Sequence, residues 1–153
     1  MDPTTKTKKK RRLWLIPVIL LLLIVVLAVT VYFTDAPSRA ELASLSFQEI
    51  DFSNLQDGTY LGSFTGTKGS LRDVTVEVTV SGGSVSNIDI LKGSVDESGN
   101  PQEIGKGETA YDLFESVLEK KSMQADVVSG ATLTCNAHLK ALENALLQAQ
   151  NAE

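Results

Sequence analysis

The longest hydrophobic feature of the chain is an uncharged stretch of 21 residues from Leu13 to Phe33. At the rise of an α-helix it spans about 31 Å, which matches the hydrocarbon core of a bilayer. Trp14 lies near one end and Tyr32 near the other, where aromatic side chains anchor helices at membrane interfaces. The pattern therefore predicts a single transmembrane helix over residues 13–33.

The next segment, residues 34–56, has no sustained periodicity and is predicted to be a stalk or linker. Ser38 precedes Glu41 by three residues, which is the spacing of a capping box. This spacing predicts a short helix from Arg39 to about Ser46 within the stalk.

From Asp57 onward the hydrophobic pattern has a period of two, which is typical of strands with one buried face. Apolar or small residues alternate with polar ones in three runs: Tyr60, Gly62 and Phe64; Val74, Val76, Val78 and Val80; Val85, Ile88 and Ile90. Gly82 and Gly83 separate the second and third runs, so these two runs are predicted to form an antiparallel hairpin.

Helical patterns follow the hairpin. Residues 92–107 are rich in glycine and lack periodicity, which predicts a long loop. Thr109 and Asp112 mark the start of a helix that ends near Lys121, and a third helix is predicted over about 134–150. The fold class is therefore α+β: a small twisted antiparallel sheet covered by two helices, preceded by one N-terminal transmembrane helix.

Charge is distributed unevenly along the chain. Residues 1–12 hold six of the 14 basic residues and one of the 19 acidic residues, so the remainder has a net charge of −10. An acidic remainder disfavours nucleic-acid binding. The basic residues before the helix predict a cytoplasmic tail (1–12) and an extracytoplasmic domain (57–153) at the cell membrane. A cleaved signal peptide is the other interpretation, but its apolar core would be shorter.

The run DVVSGAT, from Asp126 to Thr132, stands between an extended segment and the third helix. Free N–H groups and the helix dipole favour a phosphate at such a junction. Gly130 and Ala131 are small enough to allow close approach of a ligand. The structural alternative is that Thr132 or Thr134 is only a helix cap.

This run resembles the flavinylation motif D-x-x-S/T-G-A-T of the FMN-binding domain family. The family includes the C subunit of sodium-translocating NADH:quinone oxidoreductase and its counterpart in the Rnf complex. The resemblance extends over about residues 57–149, including the opening DGTYLGSFTG and the hairpin. Cys135 stands where relatives commonly have serine, and residues 91–108 match no family pattern.

The resemblance implies that Thr132 carries covalent FMN through a phosphoester bond. Asp126 would be needed for recognition by a flavin transferase that uses FAD and magnesium. Ser129, Gly130 and Ala131 would form the turn that presents the hydroxyl, and Thr134 would hydrogen-bond the phosphate. The implied function is electron relay between a membrane donor, a quinol or NADH dehydrogenase, and an unidentified acceptor.

Two other functions remain open: an anchored binding or assembly module that is never flavinylated, and an accessory flavin subunit of a larger membrane redox complex. As a free-standing electron carrier or as an accessory flavin subunit, the chain would convert no small substrate itself, so no catalytic residue is predicted. Cys135 and His138 are at most half of a metal site, with a packed thiol and a capping or solvated histidine as the alternative. No metal is therefore predicted.

Overall fold

The computed structural model describes residues 7–125 and 127–152, with side chains from Leu15 onward. The chain divides into two compact units, an N-terminal unit (Met1–Pro37) and a C-terminal unit (Ser38–Glu153). The side chains of the predicted basic tail, that of Trp14, and the whole of Asp126 lie outside the described residues.

The first element is helix α1 (Thr7–Ala43), which is longer than the predicted 13–33. Its stretch Leu15–Ala43 contains a window long and apolar enough to cross a membrane, with a mean hydropathy of 3.1 over 18 residues, none of which is buried. Apolar side chains exposed over such a length are stable only in a nonpolar solvent. The helix therefore supports membrane anchoring.

The predicted helix start at Ser38 is wrong. Helix α1 runs through Pro37, and Ser38 lies inside it, buried. Because the turn before Ser38 is already helical, no free first-turn N–H groups are present there to be capped. The Glu41 carboxylate instead accepts hydrogen bonds from the Thr67 backbone N–H at 3.1 Å and hydroxyl at 3.0 Å.

The sheet consists of β1 (Gly58–Phe64), β2 (Val74–Ser81) and β3 (Ser84–Lys92) in that spatial order, all antiparallel. The four valines of β2 are buried, which confirms the alternating pattern. Gly82 and Gly83 have φ angles of 62° and 73°. Two successive positive φ angles define the tight hairpin turn that the sequence predicts.

Two helices complete the C-terminal unit and confirm the α+β class. Helix α2 (Ala110–Lys120) begins with the predicted capping box, in which Thr109 and Asp112 bond each other's backbone N–H groups. Helix α3 (Thr132–Asn151) packs on β1 and β2. The contact is close: a Cβ at Gly62 would lie 2.0 Å from the Ala141 carbonyl oxygen.

Residues 38–56, predicted to be a stalk, belong to the C-terminal unit. Leu42, Ile50 and Leu55 are buried in its core. The side-chain amide of Asn136 donates to the Leu42 carbonyl at 2.9 Å, so helix α3 also binds this segment by hydrogen bonds. These contacts join residues far apart in sequence, which no local pattern reveals.

The segment 92–107, predicted to be an irregular loop, contains strand β4 (Glu103–Gly105), which pairs with β5 (Glu108–Thr109). Before β4, the Asp96 carboxylate accepts the Ser98 and Asn100 backbone N–H groups, each at 2.8 Å. The hydrogen bonds from Asn100 lower the pKa of Asp96. Because these acceptors are short side chains within turns, the segment is ordered without hydrophobic periodicity.

Candidate functional site

The motif segment forms a tight turn that leads directly into helix α3. The Ala131 N–H donates to the Val128 carbonyl at 2.9 Å, closing a four-residue turn. Gly130, its third residue, has a φ of 91°. A positive φ at this position is the requirement of a type II turn, and it selects glycine. A Cβ at Gly130 would contact nothing within 4 Å, so the glycine is needed for conformation rather than for space within the chain.

Helix α3 begins at Thr132, two residues earlier than predicted, and its N-cap is Ala131. Alanine has no side-chain oxygen, so the N-cap residue makes no side-chain hydrogen bond to the first N–H groups of the helix. The structural alternative, in which Thr132 or Thr134 serves as the N-cap, is therefore wrong. The Thr132 side chain is exposed at the first helical position, beside backbone N–H groups that a capping side chain would otherwise bond.

The first and last residues of the turn are buried, and the two between them are exposed. Val128 and Ala131 are buried, whereas Ser129 and Gly130 are exposed. Strand β4 packs against the two anchors, since a Cβ at Gly105 would lie 3.3 Å from Val128 and 3.5 Å from Ala131. The structure thus brings the predicted residues 129–132 together on one surface turn. The position of Asp126 lies outside the described residues.

Thr134 and His138 occupy successive turns of α3. The Ser94 N–H donates to His138 Nε2 at 3.3 Å, so this nitrogen is the acceptor and Nδ1 carries the proton. Nδ1 then donates to the Thr134 carbonyl at 2.8 Å. Burial lowers the pKa of His138 and keeps the ring neutral. The sequence had suggested a solvated or capping histidine. His138 is neither, because it is buried and lies within α3.

Cys135 is fully buried beside the turn, and burial raises the pKa of its thiol. A protonated, inaccessible thiol is a poor nucleophile and a poor metal ligand. Among the described residues, no group of three or more histidine, cysteine or acidic side chains is placed to hold a metal ion.

A cleft of about 350 Å³ opens beside the first turns of α3. Its walls come from residues 70–74 and 92–94, from Gln102, and from Thr134, Ala137 and His138 of α3. On its rim Lys92 Nζ lies 3.0 Å from the Asp73 carboxylate. The hydrogen bond from Lys92 lowers the pKa of Asp73. Sequence reasoning missed this cleft, because no motif or spacing connects its walls.

The start of α3 has the features of a phosphate-binding site. Thr132 is exposed there, the N-cap alanine offers no side-chain oxygen to the first N–H groups of this 20-residue helix, and the glycine turn leaves the approach open. Helix N-termini stabilise phosphate through their free N–H groups and dipole.

Comparison with known proteins gives one finding. The family model of the FMN-binding domain matches residues 69–147, just over half of the 153-residue chain. The matched region runs from the loop before β2 to the last turns of α3 and includes the turn and Thr132. No curated protein and no solved structure matches the chain.

Proposed function

Because this chain belongs to the FMN-binding domain family, we propose that it is a membrane-anchored flavoprotein whose FMN is attached to Thr132 through a phosphoester bond. We further propose that it relays electrons at the extracytoplasmic face of the cell membrane. The observation that carries the proposal is the exposed Thr132 at the first position of α3, directly after an N-cap alanine that has no side-chain oxygen to bond the first N–H groups.

FAD is the donor of FMN in the attachment step. Thr132 Oγ displaces AMP from the FMN phosphorus of FAD, and the hydroxyl proton passes to solvent. A flavin transferase with magnesium catalyses this step, and Asp126 is the residue through which the transferase recognises the segment. The first-turn N–H groups of α3 and the Thr134 hydroxyl then hold the phosphate.

Covalent attachment suits a domain outside the cytoplasm. A dissociable cofactor would be lost by dilution there, whereas a tethered one stays at every copy of the chain. Bound FMN supplies both one- and two-electron redox chemistry, which the protein alone lacks. The partners are therefore the transferase, a membrane electron donor such as a quinol or NADH dehydrogenase, and an electron acceptor.

The test is the intact mass of the full chain, co-expressed with a flavin transferase and purified in detergent. We expect a mass increase of one FMN less one water, together with flavin fluorescence on a denaturing gel. Thr132→Val should abolish both, because it removes the hydroxyl at nearly constant volume. Thr59→Val, at an exposed threonine of β1 outside the motif, is the matched control and should retain the covalent flavin.

An unmodified mass in the presence of active transferase would overturn the proposal and favour the anchored binding module. If the flavin is attached, the size of the detergent-extracted particle separates a single carrier from an accessory subunit of a larger redox complex. Labelling of Ser98→Cys, in a Cys135→Ser background, by a membrane-impermeant maleimide on whole cells tests the extracytoplasmic location.

A further inference from the structure

The loop between β1 and β2 (residues 65–73, the β1–β2 loop) carries the most exposed of the large apolar side chains that the structure describes. Leu71 has 79% of its surface exposed, more than Phe33 of α1, which reaches 69%. An isolated exposed leucine is common on protein surfaces, so the residues around it determine what it can bind.

The β1–β2 loop is held in one conformation by its own contacts. The Gly66 N–H donates to Asp73 Oδ1 at 3.1 Å, and the Asp73 N–H donates to the Ser70 carbonyl at 3.2 Å. A Cβ at Gly66 would lie 2.2 Å from the Gly69 carbonyl oxygen, so the two halves of the loop are in direct contact. The folded backbone therefore keeps Leu71 exposed.

The loop also packs against the residues with which the C-terminal unit begins. The Glu41 carboxylate accepts the Thr67 N–H, and a Cβ at Gly69 would lie 3.9 Å from Ser38 Cβ. Ser38 is the first residue of this unit and follows Phe33, the last residue of the uncharged run, by five positions. Five residues span at most about 18 Å even when fully extended. The side of the unit that carries the loop is therefore tethered close to the bilayer.

The charge of this side differs from that of the rest of the unit. From position 13 onward the chain has a net charge of −10. The loop contains Lys68 and Arg72, and its only acid, Asp73, is paired with Lys92 Nζ at 3.0 Å. With Glu41, which bonds the loop, this makes three basic residues against two acidic ones. Basic residues beside an exposed apolar side chain are the combination that binds anionic lipid surfaces.

We infer that the β1–β2 loop is a second membrane contact, in which Leu71 enters the lipid interface and Lys68 and Arg72 lie among anionic headgroups. The occupant is a lipid surface rather than another protein, because the tether keeps a bilayer within reach of the loop in every copy of the chain. One helix alone leaves the unit free to tilt, whereas a second contact defines which side faces the membrane. The inference does not rest on the proposed function, since no step involves the flavin.

Quenching by brominated lipids tests insertion at position 71, using the full chain in vesicles of phosphatidylcholine and phosphatidylglycerol. Leu71→Trp is made in a Trp14→Phe background, which contains no other tryptophan. We expect bromine in the acyl chains to reduce its emission about twofold, because tryptophan at an interface lies beside them. Ser81→Trp is the matched control and should be unquenched, because Ser81 is exposed and lies seven residues, about 23 Å, along β2 from Val74.

Lys68→Gln in the Leu71→Trp chain tests the contact with headgroups. One basic residue near an anionic surface strengthens binding about fivefold, so Lys68→Gln should reduce the quenching, as should high salt. Lys106→Gln is the matched control, because Lys106 is also exposed but lies in the turn between β4 and β5. It should leave the quenching unchanged.

Trypsin cleavage of the unsubstituted chain in nanodiscs shows whether the native leucine makes the same contact. Cleavage after Lys68 should be several times slower in anionic nanodiscs than in detergent, and Leu71→Ser should restore most of the rate. Cleavage after Lys106 should proceed equally in both.

The inference requires both results. Unquenched Leu71→Trp would overturn it, and so would equal quenching in Ser81→Trp. Quenched Leu71→Trp with unchanged cleavage after Lys68 would assign the insertion to the tryptophan and overturn it as well. A blue-shifted emission that bromine does not quench, and that grows with the protein-to-lipid ratio, would replace the lipid with a second copy of the chain. None of these outcomes bears on the covalent attachment of FMN, which the intact mass tests separately.

Discussion

Replacement of Gly130 by alanine isolates the backbone conformation of the attachment turn. Gly130 has a φ of 91°, and an added Cβ would meet nothing within 4 Å. The change therefore introduces no clash, and its cost is that of holding a residue with a Cβ in a left-handed conformation. This cost is about 1 to 2 kcal/mol of unfolding free energy.

The turn can relieve this strain only by moving residue 130 to negative φ. That movement breaks the Ala131 N–H bond to the Val128 carbonyl, which closes the turn at 2.9 Å, and redirects the chain that enters Thr132. We expect Gly130→Ala to lose most of its covalent flavin when co-expressed with the transferase. Intact mass gives the flavinylated fraction directly.

Gly99→Ala is the matched control. Gly99 has a φ of 81° with no atom within 4 Å of its added Cβ, and it closes a turn with Asp96 through a 3.0 Å hydrogen bond. It should therefore lose about the same 1 to 2 kcal/mol, yet keep its flavin. Pulse proteolysis in urea measures both stabilities on the full chain. Equal loss of flavin in the two variants, or wild-type stability of Gly130→Ala, would refute the reasoning.

Three further predictions concern the scaffold that holds the site. Gly62→Ala should destabilise the C-terminal unit by about 3 kcal/mol, because its Cβ would overlap the Ala141 carbonyl of α3; urea unfolding checks this. Lys140→Met should lower the free energy of unfolding by about 3 kcal/mol, because it leaves the fully buried Glu143 carboxylate without its cation. Glu143→Gln should lower it less, because it removes the buried charge itself. A smaller loss of stability in Lys140→Met than in Glu143→Gln would contradict this. His138 is the only histidine, and its pKa is lowered in the folded state, so the unfolded chain binds the proton more readily. Stability should therefore fall as the pH decreases below about 6.5, and His138→Gln should remove this slope between pH 6.5 and 5, as followed by thermal unfolding.

Much of the architecture follows from local signals in the chain. The uncharged run from Leu13, the alternating valines from Val74 to Val80, the paired glycines after them and the Thr109–Asp112 capping box each predict an element that the structure contains. The turn before α3, at residues 129–131, was predicted by the resemblance to the family rather than by a local signal. Such signals can be recognised in the sequence because they act between residues that are close along the chain. Spacing determines which backbone N–H groups are capped, and periodicity determines which face of an element is buried.

Other features depended on contacts that a local pattern does not encode. The segment from Ser38 to Gln56 looks like a linker, yet it packs on α3 through partners such as Gln48 and Glu143, which are 95 positions apart. The environment of His138 also depends on a distant residue, because the N–H of Ser94, 44 positions away, donates to its ring. The sequence by itself determined the long apolar N-terminal helix and the antiparallel sheet. Only the tertiary structure decided that Thr132 lies exposed at the first position of α3, because the turn that leads into this helix is held by residues distant in sequence, such as Gly105 of β4 against Val128 and Ala131.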